Sequence, residues 1–205
     1  MKLVFPRLYV ILDAALLRSS PRELAVVLAR SGVELIQYRD KLGPPSAVLA
    51  LSQELVSELR PLGACFVVND RADIAAMAGA TGVHVGQEDL PVEEARAICG
   101  PRRWVGVSTH SEQQIRAAAA TSADYVAVGP VFATATKRNP EPVVGVDLIR
   151  RARQITEKPI VAIGGITLQQ AGAVFAAGAD CVAVAGDILN SKDPAARAHE
   201  FLQLT

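Results

Sequence analysis

Eight short apolar runs rich in valine and isoleucine recur along this chain, and a longer, alanine-rich amphipathic stretch follows each one. The runs lie at 8–12, 33–38, 65–68, 83–85, 104–107, 125–128, 160–163 and 181–184. The helical patterns lie at 21–31, 45–60, 70–78, 92–99, 111–120, 146–155, 168–176 and 194–202. The apolar runs lack strict polar alternation, as expected of parallel strands covered on both faces. Eight strand–helix units predict an α/β fold of the closed (β/α)8 TIM-barrel kind. An open doubly wound sheet is the alternative, but its G-x-G-x-x-G fingerprint is absent. No linker or low-complexity stretch divides the chain, so one barrel domain over 1–205 is expected.

Charge narrows the function. The formal net charge is zero, which argues against a nucleic-acid partner. No apolar run approaches a bilayer span, so no membrane partner is expected. Pro6, Arg7 and Asp13 interrupt the N-terminal apolar stretch, which reads as a first strand rather than a secretion signal. Cys65, Cys99 and Cys181 are far apart and read as small buried hydrophobes of a reducing compartment. The expected address is cytoplasmic and the expected ligands are small molecules, with a homo-oligomer left open.

In a parallel barrel the chemistry sits where the strands end. After the second strand, Gln37, Arg39 and Lys41 share one face if the strand persists, with Tyr38 and Asp40 between them. Asn69-Asp70 follows the third strand and Asp89 the fourth. Each aspartate could be only a helix cap, yet magnesium typically takes one or two carboxylates together with substrate phosphates. His84, inside an apolar strand, reads as a hydrogen-bonded core residue, and His110 and His199 as surface or helix-start residues. Ser108 is free to contact a ligand, with no acid–histidine arrangement to make it a nucleophile, whereas Ser111 reads as a helix cap with Gln114.

The sixth strand runs into a long loop carrying Thr134, Ala135, Thr136 and Lys137, which offers two hydroxyls and an ammonium to an anion. Gly164-Gly165 and Ala185-Gly186 follow the last two strands, where backbone N–H groups can approach a phosphate. Arg39, Lys41, Asn69, Lys137 and a magnesium on Asp70 and Asp89 suit a diphosphate. Thr134, Thr136 and the backbone near Gly165 and Gly186 suit a monophosphate. Two anion sites in one barrel suggest a transferase that joins two phosphorylated molecules and releases diphosphate, driven by leaving-group stabilisation.

These motifs, in this order, resemble the thiamin phosphate synthase family. They are Gln37-x-Arg39-x-Lys41, Val68-Asn69-Asp70, Gly82 to Asp89, Gly106-x-Ser108, Gly129 to Lys137 and Ile163 to Ile166. The resemblance implies a (β/α)8 barrel that joins hydroxymethylpyrimidine diphosphate to hydroxyethylthiazole phosphate, or to its carboxylated precursor. It implies that Gln37 to Lys41, Asn69, Ser108 and Lys137 bind the pyrimidine diphosphate, with Arg39, Lys41, Ser108 and Lys137 in catalysis. It further implies magnesium on Asp70 and Asp89, and thiazole phosphate on Thr134 to Thr136, Gly165 and Ala185-Gly186. The family often has serine where this chain has Gly186, a departure that bears on affinity rather than activity. A related thiazole tautomerase carries histidine where this chain has Pro130. A non-catalytic phosphate-binding barrel would not need two acids and three cations around one cavity, and a sugar-phosphate isomerase would need an acid–base pair instead of the two acids.

Overall fold

The computed structural model describes residues 5–134 and 142–204. Eight parallel strands close into a barrel in sequence order: β1 (Leu8–Asp13), β2 (Leu35–Arg39), β3 (Cys65–Asn69), β4 (Gly82–Val85), β5 (Trp104–Thr109), β6 (Tyr125–Val128), β7 (Ile160–Ile163) and β8 (Cys181–Val184). Helices α1 (Pro21–Arg30), α2 (Pro45–Leu59), α3 (Ala72–Ala78), α4 (Val92–Cys99), α5 (Glu112–Ala119), α6 (Gly145–Ile155) and α7 (Leu168–Ala176) join successive strands. A one-turn helix, α8 (Gly186–Leu189), precedes the last helix, α9 (Pro194–Leu202). None of the described helices is long and apolar enough to cross a membrane.

Local chemistry explains where the helices begin. Ser20 accepts a hydrogen bond from Glu23 N, with Pro21 at the first helical position. Thr167 and Gln170 form a reciprocal capping box at α7. Ser111 accepts from Gln114 N, as the sequence predicts, but the Gln114 side chain reaches His110 N, one residue further back.

Strand alternation separates two cores. Leu8, Val10, Leu12, Ile36, Tyr38 and Val68 face the helices in one apolar layer. Tyr9, Ile11, Leu35, Val67, Tyr125, Ala127, Val161, Cys181 and Ala183 fill the barrel interior. Each fully buried large apolar side chain stabilises by about 1.5–3 kcal/mol. An unpaired buried polar group costs about 1–3 kcal/mol. Asp13, Gln37, His84 and Ser108 are all buried on the inner side, and every one of them has a hydrogen-bond partner.

The connection after β6 is anchored at its base. Val131 N donates to Ile163 O and Phe132 N to Gly164 O, tying it to the end of β7. Val144 N donates to Pro130 O, bringing the returning chain back to the same place. Ala135, Thr136 and Lys137 lie outside the described residues.

Candidate active site

Two cavities abut at the C-terminal mouth of the barrel, one of about 390 Å³ and one of about 450 Å³. Arg39, Ser108 and His110 line both, so they form a single two-lobed cleft.

The smaller lobe collects the ends of β2, β3 and β4. Gln37, Arg39, Lys41, Asn69, Asp70 and Asp89 all line it. Arg39 is held by Asp13, whose Oδ2 lies 2.6 Å from Nη1. Asp13 also accepts from Ala15 N at 3.0 Å. The β1–β2 register sets Asp13 beside Arg39, so the guanidinium is aimed by a buried anion. Asp13 was not among the residues singled out from sequence. Its role depends on a neighbour far along the chain, and its only local sign was a charge ending an apolar run.

Asp70 is no helix cap. The helix after it starts at Ala72 with Arg71 at the cap position. Asp70 itself has φ 61°, the one non-glycine residue at positive φ among those described. Such a conformation costs of order 1–3 kcal/mol and tends to be kept where a side chain must be aimed. Asp89 accepts from Gly86 N at 2.8 Å and does not cap α4, whose cap position is Pro91. The Lys41 ammonium pairs with the Asp70 carboxylate and lies 3.8 Å from Asp89 Oδ1. Burial, then the hydrogen bond with Asp89, pushes the Asp70 carboxyl up to about 6, against the pull of Lys41. Asp89 is also penalised by burial. The hydrogen bond from Asp70, the Gly86 N–H and Lys41 outweigh that penalty and hold it below its ordinary value. Two carboxyls beside one lysine cation form an oxygen donor pair suited to a hard divalent cation. No group of three or more metal-ligating side chains occurs among the described residues; magnesium characteristically takes one or two carboxylates and fills its other positions with waters and substrate phosphates.

The larger lobe collects the ends of β6, β7 and β8. Thr134, Gly165, Ala185 and Gly186 line it, with Pro130, Thr167 and Asn190. Gly165 has φ +63°, and a Cβ there would lie 2.2 Å from Ala133 O. Only glycine lets the β6 and β7 connections approach this closely. Gly186 opens α8.

The structure does not bring Tyr38 and Asp40 to the cleft. Tyr38 points into the outer layer and donates to Asp40 Oδ2 at 3.1 Å. Asp40 folds back to accept from Leu42 N and Gly43 N. Alternation, which carries Gln37 and Arg39 inward, turns their neighbour outward. His110 needs the opposite correction. It is not a surface residue but lines both lobes, and its Nδ1 bonds Gly129 O. Its place two residues after Ser108 was the available signal. His84 is buried and hydrogen-bonded, as expected, but its Nε2 lies 2.9 Å from Ser108 Oγ, so a histidine does stand beside that serine. The other ring nitrogen meets the Tyr125 hydroxyl at 3.0 Å rather than a carboxylate. The nitrogen that a nucleophilic triad would turn to an acid is thus turned to a phenol.

Comparison with known proteins agrees with this geometry. The family model described as thiamine monophosphate synthase matches residues 8–188. A thiamine-phosphate synthase of Koribacter versatilis is 47% identical over 98% of this chain and 97% of its own length. One from Gloeobacter violaceus is 45% identical over 84% of this chain, and the match spans 50% of that longer protein. The solved thiamine phosphate pyrophosphorylase of Pyrococcus furiosus superposes with a TM-score of 0.88 at 31% identity, covering 97% of this chain and 94% of that one. A barrel whose strand ends build this cleft, matched over nearly its whole length, belongs to the thiamine monophosphate synthase family.

Proposed function

We propose that this barrel joins hydroxymethylpyrimidine diphosphate to hydroxyethylthiazole phosphate, or its carboxylated precursor, forming thiamin phosphate and releasing diphosphate. The observation that carries the reading is the two-lobed cleft. One lobe holds paired acids and cations, the other hydroxyl and glycine backbone, and Arg39 and Ser108 stand at their junction.

The Asp70–Asp89 pair fits magnesium, because two hard oxygen ligands already share a cation in the form of Lys41. Bound there, magnesium would neutralise diphosphate oxygens and favour departure of that group. Arg39, kept in place by Asp13, donates to the same diphosphate, with Lys41, Asn69 and Ser108 around it. Lys137 lies outside the described residues and is proposed for this role from its motif alone. The C–O bond to diphosphate breaks first and its electron pair leaves with the phosphate. The resulting pyrimidine-methyl cation is stabilised by the ring amino group. The thiazole nitrogen then forms the C–N bond with its own lone pair, so no protein base is required. Thr134, Gly165 and the Ala185-Gly186 step hold the thiazole phosphate, with Ala135 and Thr136 assigned to that role by motif. Pro130, which lines the thiazole lobe, carries no ionisable group for the tautomerase reaction. Three free cysteines and the absence of a disulfide among the described residues are compatible with the cytoplasm as its compartment.

The test is a product assay. Purified protein with both phosphorylated substrates and magnesium is expected to form thiamin phosphate and diphosphate in equal amounts, and chelation should stop it. Failure to form thiamin phosphate would refute the reading. Turnover that survives chelation of all divalent metal would refute the role of Asp70 and Asp89.

A further inference from the structure

A line of hydrogen bonds crosses the barrel interior from Gln37 to Ser108. Gln37 Nε2 donates to the Tyr9 hydroxyl at 2.7 Å. Tyr9 and Tyr125 hydroxyls lie 3.3 Å apart. Tyr125 OH lies 3.0 Å from His84 Nδ1, and His84 Nε2 lies 2.9 Å from Ser108 Oγ. The five residues come from β2, β1, β6, β4 and β5, so no local motif builds this line. The Tyr125 ring stacks on His84 with centroids 5.5 Å apart. It reaches that position because residue 106 is glycine, where a Cβ would lie 2.0 Å from Tyr125 Cζ.

We propose that Tyr9, Tyr125 and His84 are positioning residues, which transmit the orientation of the Gln37 amide across the barrel so that Ser108 presents its hydroxyl hydrogen to the diphosphate. The identity of that anion rests on the function proposed above. The hydrogen bonds themselves do not. An amide nitrogen can only donate. Tyr9 oxygen accepts from Gln37, and the arrangement along the line that gives each hydroxyl hydrogen an acceptor sends the Tyr9 hydrogen to Tyr125 and the Tyr125 hydrogen to Nδ1. If the ring holds a single hydrogen, that hydrogen then sits on Nε2 of His84 and goes to Ser108. Ser108 oxygen accepts, and its hydrogen is left for the cleft. Burial pushes the pKa of both Tyr9 and Tyr125 well above the ordinary phenol value, so neither gives up the hydrogen the line requires.

The polarity selects a ligand at both ends. Ser108 offers a donor to an anionic oxygen. Gln37 also lines the diphosphate lobe; with one amide hydrogen given to Tyr9, its carbonyl oxygen is the acceptor it can offer to a ligand N–H. A substrate with an amino group on its ring and a phosphate nearby satisfies both. Reversing the line would require the amide to turn over, and Ser108 would then meet the anion with a lone pair.

Nitrogen-15 NMR of the intact protein labelled at histidine tests this, with His84 assigned by its loss in His84→Asn. The expected state is the Nε2–H tautomer. Tyr9→Phe touches neither His84 nor Ser108, yet should release His84 into a mixture of tautomers. It should also lower kcat about tenfold, the scale of one lost charge-assisted hydrogen bond. In a Ser108→Ala background the same change should cost no further rate. Tyr125→Phe, one step nearer, gives the same tautomer readout should Tyr9→Phe fail to fold. An imidazolium or an Nδ1–H tautomer in the unaltered protein, an unchanged tautomer in the variants that fold, or rate losses that add independently of Ser108 would overturn the proposal. The tautomer measurement needs no substrate, so it stands apart from any failure of the proposed reaction.

Discussion

At the scale of single residues, the cleft is governed by which charges have buried partners. Arg39 depends on Asp13. Asp13→Asn is expected to cost about 3 kcal/mol of stability, because a partly buried guanidinium loses its counterion, and to lower kcat/KM with the pyrimidine diphosphate at least tenfold. Denaturant unfolding and initial rates check the two effects separately. Asp70 gives a pH signature. Its carboxyl is raised from 3.8 to about 6, so the fold favours the protonated form. That contribution to stability is present below the ordinary value and is lost as pH rises through about 6. A divalent cation needs the deprotonated form. The rise in thermal midpoint on adding magnesium should therefore be largest above neutral pH and fade as pH falls through about 6. Gly186 gives a third test. A Cβ there meets nothing closer than Asn190 Nδ2 at 3.5 Å, so Gly186→Ser fits without repacking. It should lower the KM for thiazole phosphate roughly tenfold through a charge-assisted hydrogen bond. The strand-end rule made Arg39, Asp70 and Asp89 legible from sequence. Asp13 was not legible, because only the β1–β2 register brings it to Arg39, nor was Tyr38 as an outward residue until alternation was applied to it.

Among the elements, the connections matter more than the strands. Strands β6, β7 and β8 and helices α4, α7 and α9 coincide with the apolar patterns that predict them, because each carries a full period of burial. The one-turn helix α8 left no such trace, since four residues are too few to express a helical period. It nonetheless lies at the larger lobe, after the last strand. The apolar pattern starts the helix after β3 at Asp70, but the positive φ of that residue delays it to Ala72. The Gly164-Gly165 turn supports the second lobe by letting the β6 connection bond to the end of β7. Gly165→Ala would force a Cβ against Ala133 O at positive φ and is expected to destabilise by about 1–3 kcal/mol. Thiazole phosphate affinity should fall with it, while the diphosphate lobe keeps its ligand.

For the whole molecule, barrel closure is what makes distant residues neighbours. Counting eight strand–helix units was enough to anticipate closure, and closure was enough to anticipate one shared mouth. Sequence could not reveal how the interior polar groups pair, because the five residues from Gln37 to Ser108 meet only across the finished barrel. The central claim is a division of labour between two lobes that meet at Arg39 and Ser108. Calorimetric titration of each phosphorylated substrate into the unaltered protein, Asp70→Asn and Thr134→Val measures it directly. Asparagine tolerates the positive φ of residue 70, so that variant changes charge with little change of backbone. Asp70→Asn should lose magnesium-dependent binding of the pyrimidine diphosphate and keep the thiazole phosphate, and Thr134→Val should do the reverse. Undiminished diphosphate binding by Asp70→Asn, or loss of the same ligand in both variants, would contradict the two-lobed account.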